Sequence, residues 1–264
     1  FNSYPDNIMA VRLSADQAGK ISFDTNLENL INGTAYTNTV DGDTITMRDA
    51  LPTNGLNVEA QLKVINEGGS LSTGTNGGNP AITVSGADAV TLIFACGTDY
   101  KMELPNFRGE DPHKAVTARI NAAAKKGYEA LKADHVADHD ALFSRVELGF
   151  DEEIPQIPTD ELIKKYRNMI ENNGGDIPTS AEQRALEIMC YQFGRYLTIA
   201  GSRDGALPTN LQGVWGEGWF TWYGDYHFNI NVQMNYWPTM ASNLSECMKP
   251  YNDYLNVLKE AGRD

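Results

Sequence analysis

Between Gly201 and Pro238 the chain reads GSRDGALPTNLQGVWGEGWFTWYGDYHFNINVQMNYWP and holds all four tryptophans, Trp215, Trp219, Trp222 and Trp237. Flat apolar rings can cover the C–H faces of a pyranose, and neutral amides both donate to and accept from its hydroxyls. Both are crowded here, which is the composition of a sugar pocket. A plain connection between helices is shorter and more polar. Trp215, Trp219 and Trp222 are candidates for stacking, and Asn210 and Gln212 for hydroxyl contacts. Those two amides could equally bond the backbone of their own loop. Trp237, beside Pro238 in an apolar run, reads as core.

The sharpest piece is His227-Phe228-Asn229-Ile230-Asn231. In an extended segment, residues two apart share a side. His227, Asn229 and Asn231 would then converge while Phe228 and Ile230 turn inward. The alternative is a polar edge strand or a helix start with the asparagines on local backbone. Glycoside hydrolysis takes two carboxyl groups, spaced roughly 6.5–9.5 Å apart when a water must fit between base and sugar. Asp204, Glu217, Asp225 and Glu246 are available nearby, and Asp225 is the best placed, although it could instead cap the following segment. Ser202-Arg203-Asp204 lacks an adjacent base and is no nucleophilic trio. The glycines of this stretch lack the Lys-Ser/Thr ending of a phosphate loop. His135 and His139 sit four apart, but no third ligand falls in register, so a solvated polar face is expected there, with no metal and no cofactor.

SRDGALPTNLQGVW, then YGDYHFNINVQMNYWP and NLSEC, resemble the family-95 glycoside hydrolases, the inverting α-L-fucosidases and their α-L-galactosidase relatives. The similarity extends from FNSYPDNIMAVRLSAD through HDALFSRVELGF to the C-terminus and is most specific between Ser202 and Glu246. It implies that Asn229 and Asn231 are the catalytic pair that holds and helps activate the attacking water. It implies that His227 lies against the sugar, where a histidine suits the fucosidases better than the galactosidases. The general acid glutamate and assisting aspartate of the family have no matching position here, so the resemblance implies a chain truncated at both ends. An amide is a poor base alone; its oxygen can hold a water while a carboxylate supplies basicity.

These residues need elements to position them. Residues 1–108 show short alternating runs, Ile8–Leu13, Lys20–Phe23, Thr44–Met47, Leu56–Ile65 and Ala89–Ala95, punctuated by Gly, Asn and Asp. That pattern predicts part of an antiparallel β-sandwich acting as scaffold. Gly74–Asn79 reads as a flexible tip. From Asp111-Pro112, a helix-start signal, the period becomes helical, and residues 109–158 are expected to form a helical linker and connection. Residues 159–264 follow as helices joined by long loops. Ser180 with Gln183 forms a capping box, Pro250 opens a last helix, and Leu186, Met189, Cys190, Phe193 and Leu197 form an apolar stripe with Arg195 off it. The predicted class is α+β multidomain: sandwich, helical linker, then the first helices of the (α/α)6 toroid that the resemblance implies.

The 264 residues carry 21 Lys+Arg against 35 Asp+Glu, a net charge of −14, without a basic block. Nucleic acid and anionic membranes are therefore excluded as partners. No apolar run reaches the roughly 20 residues that span a bilayer. Cys96, Cys190 and Cys247 read as buried thiols, with one disulfide left open. The expected function is hydrolysis of terminal α-linked L-fucose from a glycan outside the cell or in the periplasm, the location following from the family. The alternatives are a non-catalytic sugar-binding or scaffold fragment, or an α-L-galactosidase. No motif encodes an oligomeric state.

Overall fold

The structure, a computed structural model, describes residues 1–29, 36–149, 155–174, 180–216 and 221–263. By contact density it divides into two compact units, Phe1–His139 and Asp140–Asp264. The expected class, an antiparallel sandwich followed by helices, is the one observed.

Among the described residues of the first unit there are nine strands: β1 (Asn2–Ser3), β2 (Ile8–Ser14), β3 (Ile21–Thr25), β4 (Thr37–Asp41), β5 (Thr44–Ala50), β6 (Asn57–Glu67), β7 (Ser70–Asn76), β8 (Asn79–Ala87) and β9 (Ala89–Thr98). Six form one sheet in the order β1-β2-β9-β6-β5-β4, and three form the other in the order β3-β8-β7. Ile45, Leu62 and Val64 from the first sheet meet Ile82 and Val84 from the second, all buried, which makes the interior of the sandwich. The alternation along β6 is what gives the sheet an apolar face.

Two features depart from expectation. Gly74–Asn79 is not a loose tip: β7 and β8 pair to Asn76↔Asn79 across Gly77-Gly78. Both glycines have positive φ, +59° and +87°, as a two-residue hairpin turn demands. The polar face of β6 is also covered. Helix α1 (His113–Lys126) packs over the large sheet, with Val116, Ile120 and Ala123 against Ile8, Ala10, Ile93 and Ala95. Beneath it Glu59 is fully buried, with His113 Nδ1 at 2.9 Å, the Gln61 amide donating at 2.6 Å and Arg48 Nε at 3.3 Å. A carboxylate without water requires partners of this kind. The helix starts one residue later than Asp111-Pro112 suggests, with Pro112 at the N-cap, and Asp111 Oδ1 accepts the His113 N–H at 2.9 Å.

The chain breaks at Gly127, whose φ of +81° ends α1, and resumes as α2 (Tyr128–Phe143). His135 does not simply face solvent: its ring stacks on Phe1 at 4.9 Å, and burial lowers its pKa.

In the second unit, α3 (Thr159–Asn172) and α4 (Ala181–Gly201) pack as a pair, followed by α5 (Asn231–Ala241) and α6 (Lys249–Ala261). Ser180 Oγ accepts the Gln183 N–H at 3.1 Å and starts α4 as expected. The packed side of α4 is Ala185, Arg195 and Ile199, about a right angle or more from the apolar stripe read from the sequence. Cys190 and Phe193 of that stripe are exposed, and Arg195 is buried. Cys96 is exposed as well, so only Cys247 is a buried thiol, and all three are free. Trp237, expected in the core, is 64% exposed.

Candidate sugar site

Residues 227–231 are not extended. After a 3-10 turn (Thr221–Gly224), Phe228–Ile230 make a turn that runs straight into α5. The Val232 N–H donates to the His227 carbonyl at 3.1 Å and the Met234 N–H to the Ile230 carbonyl at 2.9 Å. Phe228 turns inward as expected, but Ile230 is exposed. His227 precedes the turn, Asn229 sits exposed on it and Asn231 is the first residue of α5.

An aromatic platform fixes this turn. Phe228 stacks on Tyr254 of α6 at 5.6 Å with an interplanar angle of 11°, and Tyr226 meets Tyr254 at 5.0 Å. Tyr251 lies 6.5 Å from Phe228 and 5.0 Å from Tyr236. Two tyrosines three apart on α6 thus hold both the turn and α5.

The base of the long loop is tied by a buried knot. The Ser202 hydroxyl donates to the Cys247 carbonyl at 2.8 Å and lies 2.8 Å from the Tyr236 hydroxyl. Because the Ser202 proton is already committed, Tyr236 donates to Ser202, and its oxygen accepts the Thr209 N–H at 3.0 Å. Asn235 donates to the Asn210 carbonyl at 2.5 Å, and Tyr226 to the Pro208 carbonyl at 2.8 Å. Nothing in the sequence marks this knot except a serine and a tyrosine of ordinary context.

The amides divide sharply. Asn210 donates to the Gly224 carbonyl at 3.0 Å and accepts the Gln212 N–H at 3.2 Å, so its side chain staples the loop and does not offer itself to a hydroxyl. Among the described residues, the side-chain amides of Asn229, Asn231 and Gln212 have no hydrogen-bond partner. Trp222 lies edge-on to His227, ring centres 5.7 Å apart, and is 63% exposed at a φ of +62°. His227 Nδ1 is 3.3 Å from the Asp225 carbonyl. A carbonyl only accepts, so Nδ1 carries the hydrogen, and in the neutral ring Nε2 is left as an acceptor.

Of the candidate carboxylates, Glu217 lies outside the described residues, as does Trp219. Glu246 is bound by Arg145 at 2.8 Å and 3.0 Å. The backbone N–H it accepts and then Arg145 hold its pKa below the ordinary value, which suits an ion pair and not a proton donor. Asp204 pairs with Lys249 at 3.2 Å. Asp225 is exposed beside the turn.

A cavity of about 210 Å³ is walled by Trp215, Gln212, Thr209, Ser202, Asn235 and Tyr236, with Leu197 and Thr198 of α4. The turn at 227–231 contributes nothing to its described walls.

The comparisons with known proteins define first the class. Residues 1–103 match the N-terminal domain of glycosyl hydrolase family 65, and residues 127–264 match the catalytic domain of glycosyl hydrolase family 95. The chain belongs to glycosyl hydrolase family 95. It is 34% identical over 97% of its length to a protein of Aspergillus niger described as "Probable alpha-fucosidase A". It is 30% identical over its whole length to "Alpha-L-fucosidase 2" of Arabidopsis thaliana. A second "Probable alpha-fucosidase A", from Aspergillus oryzae, is 31% identical over 67% of the chain. The chain spans 32% and 33% of the length of the first two relatives and 25% of the third.

Proposed function

We propose that this chain supplies the water-holding and sugar-contacting part of an inverting α-L-fucosidase that removes terminal α-linked L-fucose from glycans. The observation that carries this is the pair of uncommitted amides, Asn229 and Asn231, on a turn whose neighbouring amides Asn210 and Asn235 are tied to backbone. Such a pair, fixed by Phe228 and Tyr254, can hold a water without reorganising when the sugar arrives. His227 offers an acceptor at Nε2, and Trp222 stands beside it as an apolar wall. The names of the relatives favour fucose as the sugar.

The acid and the assisting base are assigned to residues outside this chain. Glu246 and Asp204 are held in ion pairs. A chain acting alone would on this account bind a sugar without cleaving it. Among the described residues no helix is long and apolar enough to cross a membrane. We assign the enzyme to the periplasm or the exterior, where fucosylated glycans are found.

The test compares kcat/KM on an aryl α-L-fucoside and the matching α-L-galactoside, using a protein of the relatives' full length that carries this sequence. Galactose differs from fucose by one added hydroxyl, so a preference of about 10–100-fold for the fucoside is expected, narrowing in His227→Ala. Equal rates on both sugars, or a preference for the galactoside, would overturn the fucose assignment.

A further inference from the structure

We propose that Gln233 is a positioning residue, which aims Asn229 by holding the backbone carbonyl of Phe228. The inference rests on the water-holding role given to Asn229 above and adds to it a residue that acts through the backbone. Part of its test does not depend on hydrolysis.

The turn enters α5 without a side-chain cap. Ile230 stands at the N-cap position, and its side chain has no group that could accept an N–H. The Val232 N–H donates to the His227 carbonyl, five residues back, and the Met234 N–H to the Ile230 carbonyl, four back. The backbone ladder thus passes over the Phe228 carbonyl. Among the described residues no backbone N–H reaches that oxygen. The side chain of Gln233, in the first turn of α5, donates to it through Nε2 instead. A carbonyl only accepts, so this contact also fixes which end of the amide faces the turn.

Holding that carbonyl has a direct consequence for the next residue. The Phe228 carbonyl and the N–H and Cα of Asn229 belong to one planar peptide unit. A bond that sets the direction of the carbonyl therefore sets the place from which the Asn229 side chain departs. The ring of Phe228 is held separately, by its stack on Tyr254 at 5.6 Å. Ring and carbonyl together take away the freedom of Phe228. Asn229 is exposed, and an exposed amide kept open for water can be aimed only by its backbone.

The far end of the Gln233 amide argues against a role in packing alone. Its Oε1 is buried and has no hydrogen-bond partner among the described residues. A buried acceptor without a donor is destabilising. A position that served only to pack α5 would favour Leu or Met, which strand no oxygen. Glutamine keeps the donor that Phe228 needs and leaves its own oxygen unsatisfied. Departures of this kind from full polar satisfaction are expected beside functional groups.

The experiment uses a protein of the relatives' full length that carries this sequence. Gln233→Met keeps the length and removes the donor, and Gln233→Glu keeps the shape and replaces the donor by an acceptor. On the aryl α-L-fucoside each is expected to lower kcat by about 10-fold or more, with KM within about twofold. The Tm of Gln233→Met should stay within about 2 °C, because losing the stranded oxygen offsets losing the donated bond. Added to Asn229→Ala, Gln233→Met should lower kcat by less than about twofold more, since its effect runs through Asn229. Crystal structures give the readout that needs no turnover. In Gln233→Met the Phe228–Asn229 peptide should rotate or Asn229 should take more than one conformer, with the Phe228–Tyr254 stack in place. Wild-type kcat in both Gln233 variants, a full further loss in the Asn229→Ala background, or Asn229 placed in Gln233→Met as in the wild type would each overturn the proposal. Wild-type kcat in Asn229→Ala would instead fall on the proposed function, and the crystal comparison would still decide whether Gln233 aims Asn229.

Discussion

Replacing Asn229 or Asn231 by Ala, in a protein of the relatives' full length carrying this sequence, is expected to lower kcat by about 100-fold or more, with KM changed much less. Asn229 lies on the turn and Asn231 opens α5, and the turn is held from behind by the Phe228–Tyr254 stack. Truncation therefore removes a water partner without loosening the turn. Two lost decades correspond to about 2.7 kcal/mol of transition-state stabilisation. That is the scale expected when one preorganised hydrogen-bonding group is removed from a developing charge. An unchanged KM would show that the amides act on the water and not on ground-state sugar. Steady-state kinetics on the aryl fucoside decides it: wild-type kcat in both variants ends the water-holding role.

The second large effect concerns stability. Arg195→Met is expected to destabilise the helical unit by about 3 kcal/mol or more, because the guanidinium ties two helix ends together. Its Nη1 donates to the Phe143 carbonyl at 2.7 Å, the Val146 carbonyl at 3.3 Å and the Gln192 side chain at 2.9 Å. Its Nη2 donates to the Leu142 carbonyl at 3.0 Å, and its Nε to the Ser242 carbonyl at 3.3 Å. Leu142 and Phe143 lie in the last turn of α2 and Ser242 caps α5, where carbonyls are left open. No carboxylate joins them among the described residues; the negative ends of two helix dipoles balance the charge, with the Phe143 ring 5.2 Å below. A methionine of similar length keeps the volume but strands the carbonyls. Lysine at 195 should recover only part of the loss, since a point charge cannot reach both helix ends. Urea unfolding followed by tryptophan fluorescence isolates this unit, because all four tryptophans lie within it. A loss under about 1 kcal/mol would contradict the double-cap account.

The strands were legible because alternation along segments such as Leu56–Ile65 records the pleat directly. What covered the other face was not. Glu59 and Gln61 alternate with the apolar residues of β6, and they are partnered by His113 and Thr117 of α1 and by Arg48 of β5. The Gly77-Gly78 turn was mistaken for a loose tip because glycine signals freedom and a positive-φ hairpin turn equally well. Arg195 reads as lying off the apolar stripe, and its burial is not legible because its backbone partners are carbonyls 47 to 53 residues away in sequence. Carbonyls carry no residue-type signal.

The site shows the same division. The crowding of rings and amides between Gly201 and Pro238 located the region. The alternation in 227–231 suggested a strand, whereas the same residues serve a turn that starts α5. Asn210 and Asn229 are the same residue type nineteen positions apart, and only the fold shows that the first is tied to Gly224 and the second is uncommitted. Trp215 and Trp222 are likewise separated by structure: one lies against glycines over a cavity, the other stands edge-on to His227.

The most direct measurement of the central claim is the anomeric form of fucose at the moment of release, read by proton NMR during hydrolysis of an α-1,2-fucosylated oligosaccharide. A water held by Asn229 and Asn231 attacks the face opposite the leaving group, so β-L-fucose should appear first and then mutarotate. α-L-fucose as the first product would require a covalent intermediate and would contradict the water-holding role of the two asparagines.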